Sequence, residues 1–168
     1  MTKLKTYLIT ILLAASMAAA VGCSQSKSSI NCPFTGLSWE STTDEMIALE
    51  GDDYETYDSI YKGLTYTYPK EYLGNNGMIK YMYDDKGTLC NVSWSYQSDD
   101  EEDVKAVYDS ICREMNKLHG DSRNDDGIGN YCEIWSSNGG TVMANAVITN
   151  DAKVMQIAYM SAQVSKQQ

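Results

Sequence analysis

A single histidine and a single phenylalanine stand in 168 residues, and 13 Lys and Arg face 23 Asp and Glu. Each scarcity removes a class of chemistry. With His119 alone, a Ser-His-Asp or Cys-His relay would have to be built around one residue at an expected helix end, where capping or solvation accounts for it. The five cysteines include no Cys-x-x-Cys pair, which disfavours a dithiol redox centre and the usual zinc spacing. No glycine-rich turn follows a strand-like run, so no phosphate cradle is expected. A formal charge of −10 repels phosphate, and nucleic acid is not an expected partner. No catalytic residue, metal or other cofactor is expected. Nor does an apolar run reach the roughly 20 residues of a membrane-spanning helix, since Tyr7 to Val21 is shorter and rich in Ala.

What is present begins with an address. Lys3 and Lys5 form a basic start, Leu8 to Leu13 an apolar stretch, and Ala18, Ala19, Ala20 and Gly22 a small-residue approach to Cys23, the grammar of an export signal. Ala20-Val-Gly-Cys23 resembles the lipobox of bacterial lipoproteins, with Ala20 where Leu is usual. That resemblance implies cleavage of 1–22, lipidation of Cys23, and export to the bacterial cell envelope with attachment to a membrane through the lipid. Several acyl chains, at about 0.8 kcal/mol per buried methylene, make such an anchor stable. Cleavage leaves 146 residues with 11 bases against 23 acids, enough for one domain with a real core. The acidity means that attachment relies on the lipid and not on a basic patch.

Residues 23–33 read as a lipidated flexible tether, because Gln25 to Asn31 holds a single apolar residue and cannot offset its ordering entropy. An α+β domain is expected over 34–162, in two halves of about 39–97 and 98–162, with a polar tail over 163–168. In the first half Thr42-Thr43-Asp44-Glu45 has capping-box spacing and predicts a short helix ending near Gly51. Strand-like runs follow at Leu64 to Tyr68, Met78 to Tyr83 and Leu89 to Tyr96, with a turn at Asp84-Asp85-Lys86-Gly87. In the second half Ser98-Asp99-Asp100-Glu101 repeats the spacing. Val104, Val107, Tyr108, Ile111, Met115 and Leu118 then recur at helical intervals up to His119-Gly120. Three more strands are expected at Tyr131 to Ser136, Thr141 to Thr149 and Lys153 to Met160.

The order of one helix and three strands, read twice, predicts tandem α-β-β-β units that form antiparallel sheet with both helices on one face. An offset of 65 residues places Met78 on Met143, Val92 on Ile157 and Trp94 on Tyr159. Over Trp39 to Met160 this element order resembles the beta-lactamase inhibitory protein fold, and the single unit resembles the small outer-membrane assembly lipoproteins of the SmpA/OmlA type. The resemblance implies a protein-binding sheet whose exposed face carries aromatic residues. Trp94, Tyr96, Tyr81, Tyr83, Tyr66 and Tyr68 are the candidates for that face, since alternate strand positions share a side. Thirteen Tyr against one Phe suits a surface that is half apolar and half wet, and it suits core packing as well.

Four cysteines follow Cys23. The exported compartment permits disulfides, and at least one is expected among Cys32, Cys90, Cys112 and Cys132, with the pairing open. Ser122, Asn124, Asp126, Gly127 and Glu133 fall at positions one, three, five, six and twelve of a calcium-loop spacing, but Gly129 stands at the apolar position and a strand follows, so a solvated loop is the expectation. Together these readings predict a lipid-anchored envelope binding module that makes non-covalent contacts with another envelope or extracellular protein. The alternatives are a small envelope hydrolase with two converging carboxylates and an assembly scaffold whose anchor is its main device.

Overall fold

Thr42 starts the first helix by the expected device: its hydroxyl accepts from the Glu45 amide, and the Glu45 carboxylate accepts from the Thr42 amide. Helix α1 spans Thr43–Glu50 and ends at Gly51, whose φ of 101° lies where a side chain would strain the backbone. The structure, a computed structural model, describes residues 30–124, 131–137 and 139–165; Cys23 and its leader lie outside them. Four strands follow α1: β1 Glu55–Asp58, β2 Lys62–Tyr72, β3 Asn75–Asp84 and β4 Leu89–Gln97. Helix α2 runs over Glu101–His119, and then come β5 Arg123–Asn124, β6 Cys132–Ser137, β7 Gly140–Ile148, β8 Lys153–Ser161 and the short α3 Ala162–Ser165.

All eight strands form one sheet in the order β1-β2-β3-β4-β8-β7-β6-β5, and every neighbouring pair is antiparallel. The order mirrors about the β4–β8 seam, where Trp94 faces Ile157. The fold is α+β with an antiparallel sheet, as the sequence predicts. Each half carries one strand more than expected. Both additions are short edge strands, and β1 is exposed along its whole length, so neither leaves an alternating apolar signature. A single offset does not survive in the hairpins. Ile79 faces Trp94 while Ala144 faces Ile157, so a spacing of 65 on one strand meets 63 on the other.

Both long helices lie on one face. Val104, Val107, Tyr108, Ile111 and Met115 of α2 are buried against sheet residues such as Trp135 and Tyr159. The α2 cap differs in detail from the expected box. Asp100, not Ser98, is the N-cap and accepts from the Glu102 amide, while the Ser98 hydroxyl reaches Asp103. Three acids in the first turn and Lys117 in the last complement the helix dipole.

Three further expectations are corrected. The chain is already packed by Ile30 and Cys32, at 1% and 7% exposure, so residues 30–33 belong to the domain and not to a tether. Phe34 follows them into the core, edge-on to Tyr72 and Tyr159. At the other end Val164 of α3 is buried, so the polar tail cannot begin at 163. Its one apolar residue decides where the chain docks. Among the described residues there is also no disulfide. Cys32, Cys90 and Cys132 are buried thiols and Cys112 a half-buried one, each filling apolar space as a small hydrophobe. Burial pushes the Cys32 and Cys90 thiols up and takes Cys112 to about 11.

Candidate functional site

The six aromatic side chains expected on an exposed face do share a face, and it is the covered one. Tyr81 and Trp94 are fully buried, and Tyr83 and Tyr68 nearly so. Tyr66 and Tyr96 are half-buried and pack against the same core. The physical reason is the pair of helices together with residues 30–41, which need a large apolar floor. The binding-surface reading for Trp94, Tyr81, Tyr83 and Tyr68 is therefore corrected, and Tyr66 and Tyr96 stay at the rim.

Tyr81, Tyr83, Tyr68 and Trp94 each reach through this layer to a polar group on its far side. The Tyr81 hydroxyl donates to Glu50 Oε1 at 2.6 Å and lies 3.0 Å from Thr35 Oγ1. Glu50 in turn holds the Lys70 ammonium at 3.0 Å. Tyr83 donates to the Thr42 carbonyl, Tyr68 to that of Gly51, and Trp94 Nε1 to that of Lys70. Desolvation raises the Tyr81, Tyr83 and Tyr66 phenols above their ordinary value and takes Tyr68 to about 12. These groups are neutral structural donors at physiological pH.

None of α1, α2 and residues 30–41 lies on the opposite face, whose small side chains Thr65, Thr67, Asn91 and Ser93 are nonetheless buried. One row of partners crosses it from Thr67 through Lys80, Ser93, Ala158 and Met143 to Ile134. The next row toward the hairpin end runs Thr65, Met82, Asn91, Met160 and Thr141, and the row on the other side Met78, Ser95, Gln156 and Asn145. Small hydroxyl and amide side chains form much of the floor, and Met78, Met82, Met143 and Met160 are interspersed among them. Methionines adapt to more than one contour. Thr67 Oγ1, Asn91 Oδ1, Ser93 Oγ and Asn145 Oδ1 are buried there without a hydrogen-bond partner among the described residues. A buried polar atom left in this state costs about 1–3 kcal/mol. Lys80 places its ammonium 5.9 Å from the Tyr57 ring centroid at the β1 side of this face.

A cleft of about 540 Å³ opens at one end of the sheet, between Trp39–Ser41, Gly87–Leu89, Gly139 and Ser161–Gln163. Glu40 is the one carboxylate among its described lining residues, so it does not bring two acids together. His119 Nε2 lies 3.0 Å from the Tyr159 hydroxyl, which donates to Met115 Sδ. Burial lowers its pKa. The histidine is engaged in closing the end of the core. In the calcium-like spacing, Asn124 and Glu133 are direct strand partners on β5 and β6, while Asp126, Gly127 and Gly129 lie outside the described residues. Among the described residues no group of three or more His, Cys, Asp or Glu is arranged to hold a metal, and no helix is long and apolar enough to cross a membrane.

Sequence reasoning grouped the right residues on one face and missed which face stays open. The signal was there in the opposite parity: Thr65, Thr67, Asn91, Ser93 and Ser95 read as a small polar series. Comparison with known proteins finds no family model, no curated protein and no solved structure that matches this chain.

Proposed function

We propose that the chain is a lipid-anchored module of the bacterial cell envelope that binds another envelope or extracellular protein through the sheet face opposite its helices. The observation that carries this reading is the polar face with no described helix on it, with its methionines and its four buried polar atoms lacking partners among the described residues. A partner that covers this face meets the half-buried Lys80, Ser95 and Gln156 with polar groups, and the methionines supply apolar contact beside them. The anchor half of the proposal rests on the leader and on Cys23, followed by a polar stretch that gives the domain reach from the membrane.

Two measurements test the two halves. Expressed at full length in a bacterium, the protein should take up alkyne-palmitate and sediment with membranes, and Cys23→Ala should lose both properties. A photo-crosslinking residue placed at Ser95, on the bare face, should trap a discrete partner. The same residue at Glu102, on the exposed side of α2, should not. Equal adducts from both positions, or none from Ser95, would remove the face from consideration.

A further inference from the structure

Strand β1 is the outermost strand at one end of the sheet, and it is unlike the other edge. It pairs on one side only, with β2. Residues Gly51 to Asp58 are exposed without interruption, so the outer side of β1 is open along its length. The Ser59 amide donates to the Gly63 carbonyl, and the β1–β2 register stays constant back to Glu55↔Thr67. Antiparallel pairs alternate between bonded and non-bonded. It follows that Tyr57 and Glu55 point their backbone groups at β2, while Thr56 and Asp58 point an N–H and a C=O each away from the sheet. Four backbone groups therefore wait on one line.

Apolar side chains flank that line. Leu49, Tyr54, Tyr57, Ile60 and Leu64 are all exposed, Ile60 at 82%, and all fall within sixteen residues around this edge. Tyr54 stacks edge-on against Tyr66 and Tyr68, so the aromatic layer of the core continues to the open side of the sheet. Lys80 reaches the edge over the Tyr57 ring, but the charge carried by the edge segment itself has one sign. Residues 40–61 hold eight Asp and Glu and no Lys or Arg, and Asp52, Asp53, Glu55 and Asp58 are exposed without a salt bridge among the described residues. Two copies brought edge to edge would set these carboxylates against each other, which opposes self-pairing. A strand carrying cations meets the same carboxylates favourably.

We propose that β1 is a docking edge that takes up an extended, Lys- or Arg-bearing segment of another protein as an added strand. The Thr56 and Asp58 backbone groups supply the ladder, Tyr54, Tyr57 and Leu64 the apolar contact, and Glu55 and Asp58 the selection for cations. The inference goes beyond the bare-face reading and does not depend on it.

The test uses the full chain and a short peptide of alternating Lys and Val, with a peptide of alternating Glu and Val beside it. Binding of the Lys peptide should slow amide hydrogen exchange at Thr56 and Asp58 and should weaken as salt is raised. Thr56→Pro removes an outward N–H and leaves the β2 ladder intact, so it should reduce affinity about tenfold or more, with exchange in β3 and β4 unchanged. Should that variant misfold, the double charge reversal Glu55→Lys, Asp58→Lys carries the test and should reverse the preference between the two peptides. Absence of binding, equal binding of the Glu peptide, unchanged affinity in a folded Thr56→Pro, or concentration-dependent self-association through β1 would each overturn the proposal.

Discussion

Tyr66, Tyr81, Val92, Tyr159, Val142 and Trp135 make one row across six strands, and Thr67, Lys80, Ser93, Ala158, Met143 and Ile134 make the next row on the other side of the same strands. The backbone is shared and the chemistry is opposite. Where helices cover the sheet, the floor is aromatic, and Tyr68, Tyr81, Tyr83 and Tyr159 send their hydroxyls across the layer to a carbonyl, a carboxylate or a sulfur. The layer is bridged by rings with a polar end, which explains why Tyr outnumbers Phe so heavily: a Phe of the same size would leave the Thr42 and Gly51 carbonyls and the Glu50 carboxylate short of a donor. On the other side small polar residues and methionines hold a floor that no long helix among the described residues claims.

The comparison is broken most severely by removing a covered ring. Trp94→Ala deletes a fully buried side chain that also caps the Lys70 carbonyl, and should cost about 3–5 kcal/mol in urea unfolding. A loss below about 1 kcal/mol would mean that the covered face is not the core. Glu50→Gln comes next. It strips the charge that Lys70 and the Tyr81 hydroxyl share in a nearly enclosed site, for an expected loss of about 2 kcal/mol by the same measurement. Thr42→Ala removes one half of the α1 capping box and should cost about 1 kcal/mol. On the bare face the sign changes. Thr67→Val replaces a buried hydroxyl that has no partner among the described residues, so stability in urea unfolding should hold or rise by up to about 1 kcal/mol.

The smallest effect is a slope against pH. Burial holds His119 below the ordinary imidazole pKa, so the unfolded chain takes up this proton at a higher pH than the folded one. Stability contributed by neutral His119 is then fully present above about pH 6.5 and declines as pH falls through the lowered folded-state value. His119→Gln should flatten that part of the profile, and an unchanged slope would place its origin elsewhere.

Elements that bury a regular stripe were legible in the sequence. The α2 periodicity, the Thr42 capping box, the Asp84–Gly87 turn and the common parity of the aromatics all stand in the structure. Elements whose place is set by distant partners were not. Ile30 and Cys32 sit in a polar segment, and only their packing with residues distant in sequence makes them core. Nothing local in Glu55-Thr-Tyr-Asp58 marks a strand, because its outer side has no neighbour and both faces are wet. Which sheet face the helices choose is a global choice, since strand alternation defines two sides and names neither.

The seam between the halves has a consequence in time. Strands β1 to β4 are hairpin neighbours and can pair as soon as the first half has left the ribosome. Residues Asn91 to Gln97 of β4 must then wait for Val154 to Met160 of β8, nearly the last part of the domain to emerge. Until it arrives, β4 is a long bare edge with Trp94 and Tyr96 on its apolar side, open to any other strand that comes first. The final strand is thus the one that ends the vulnerability of the first half, and the maturation of this chain is a race for β4.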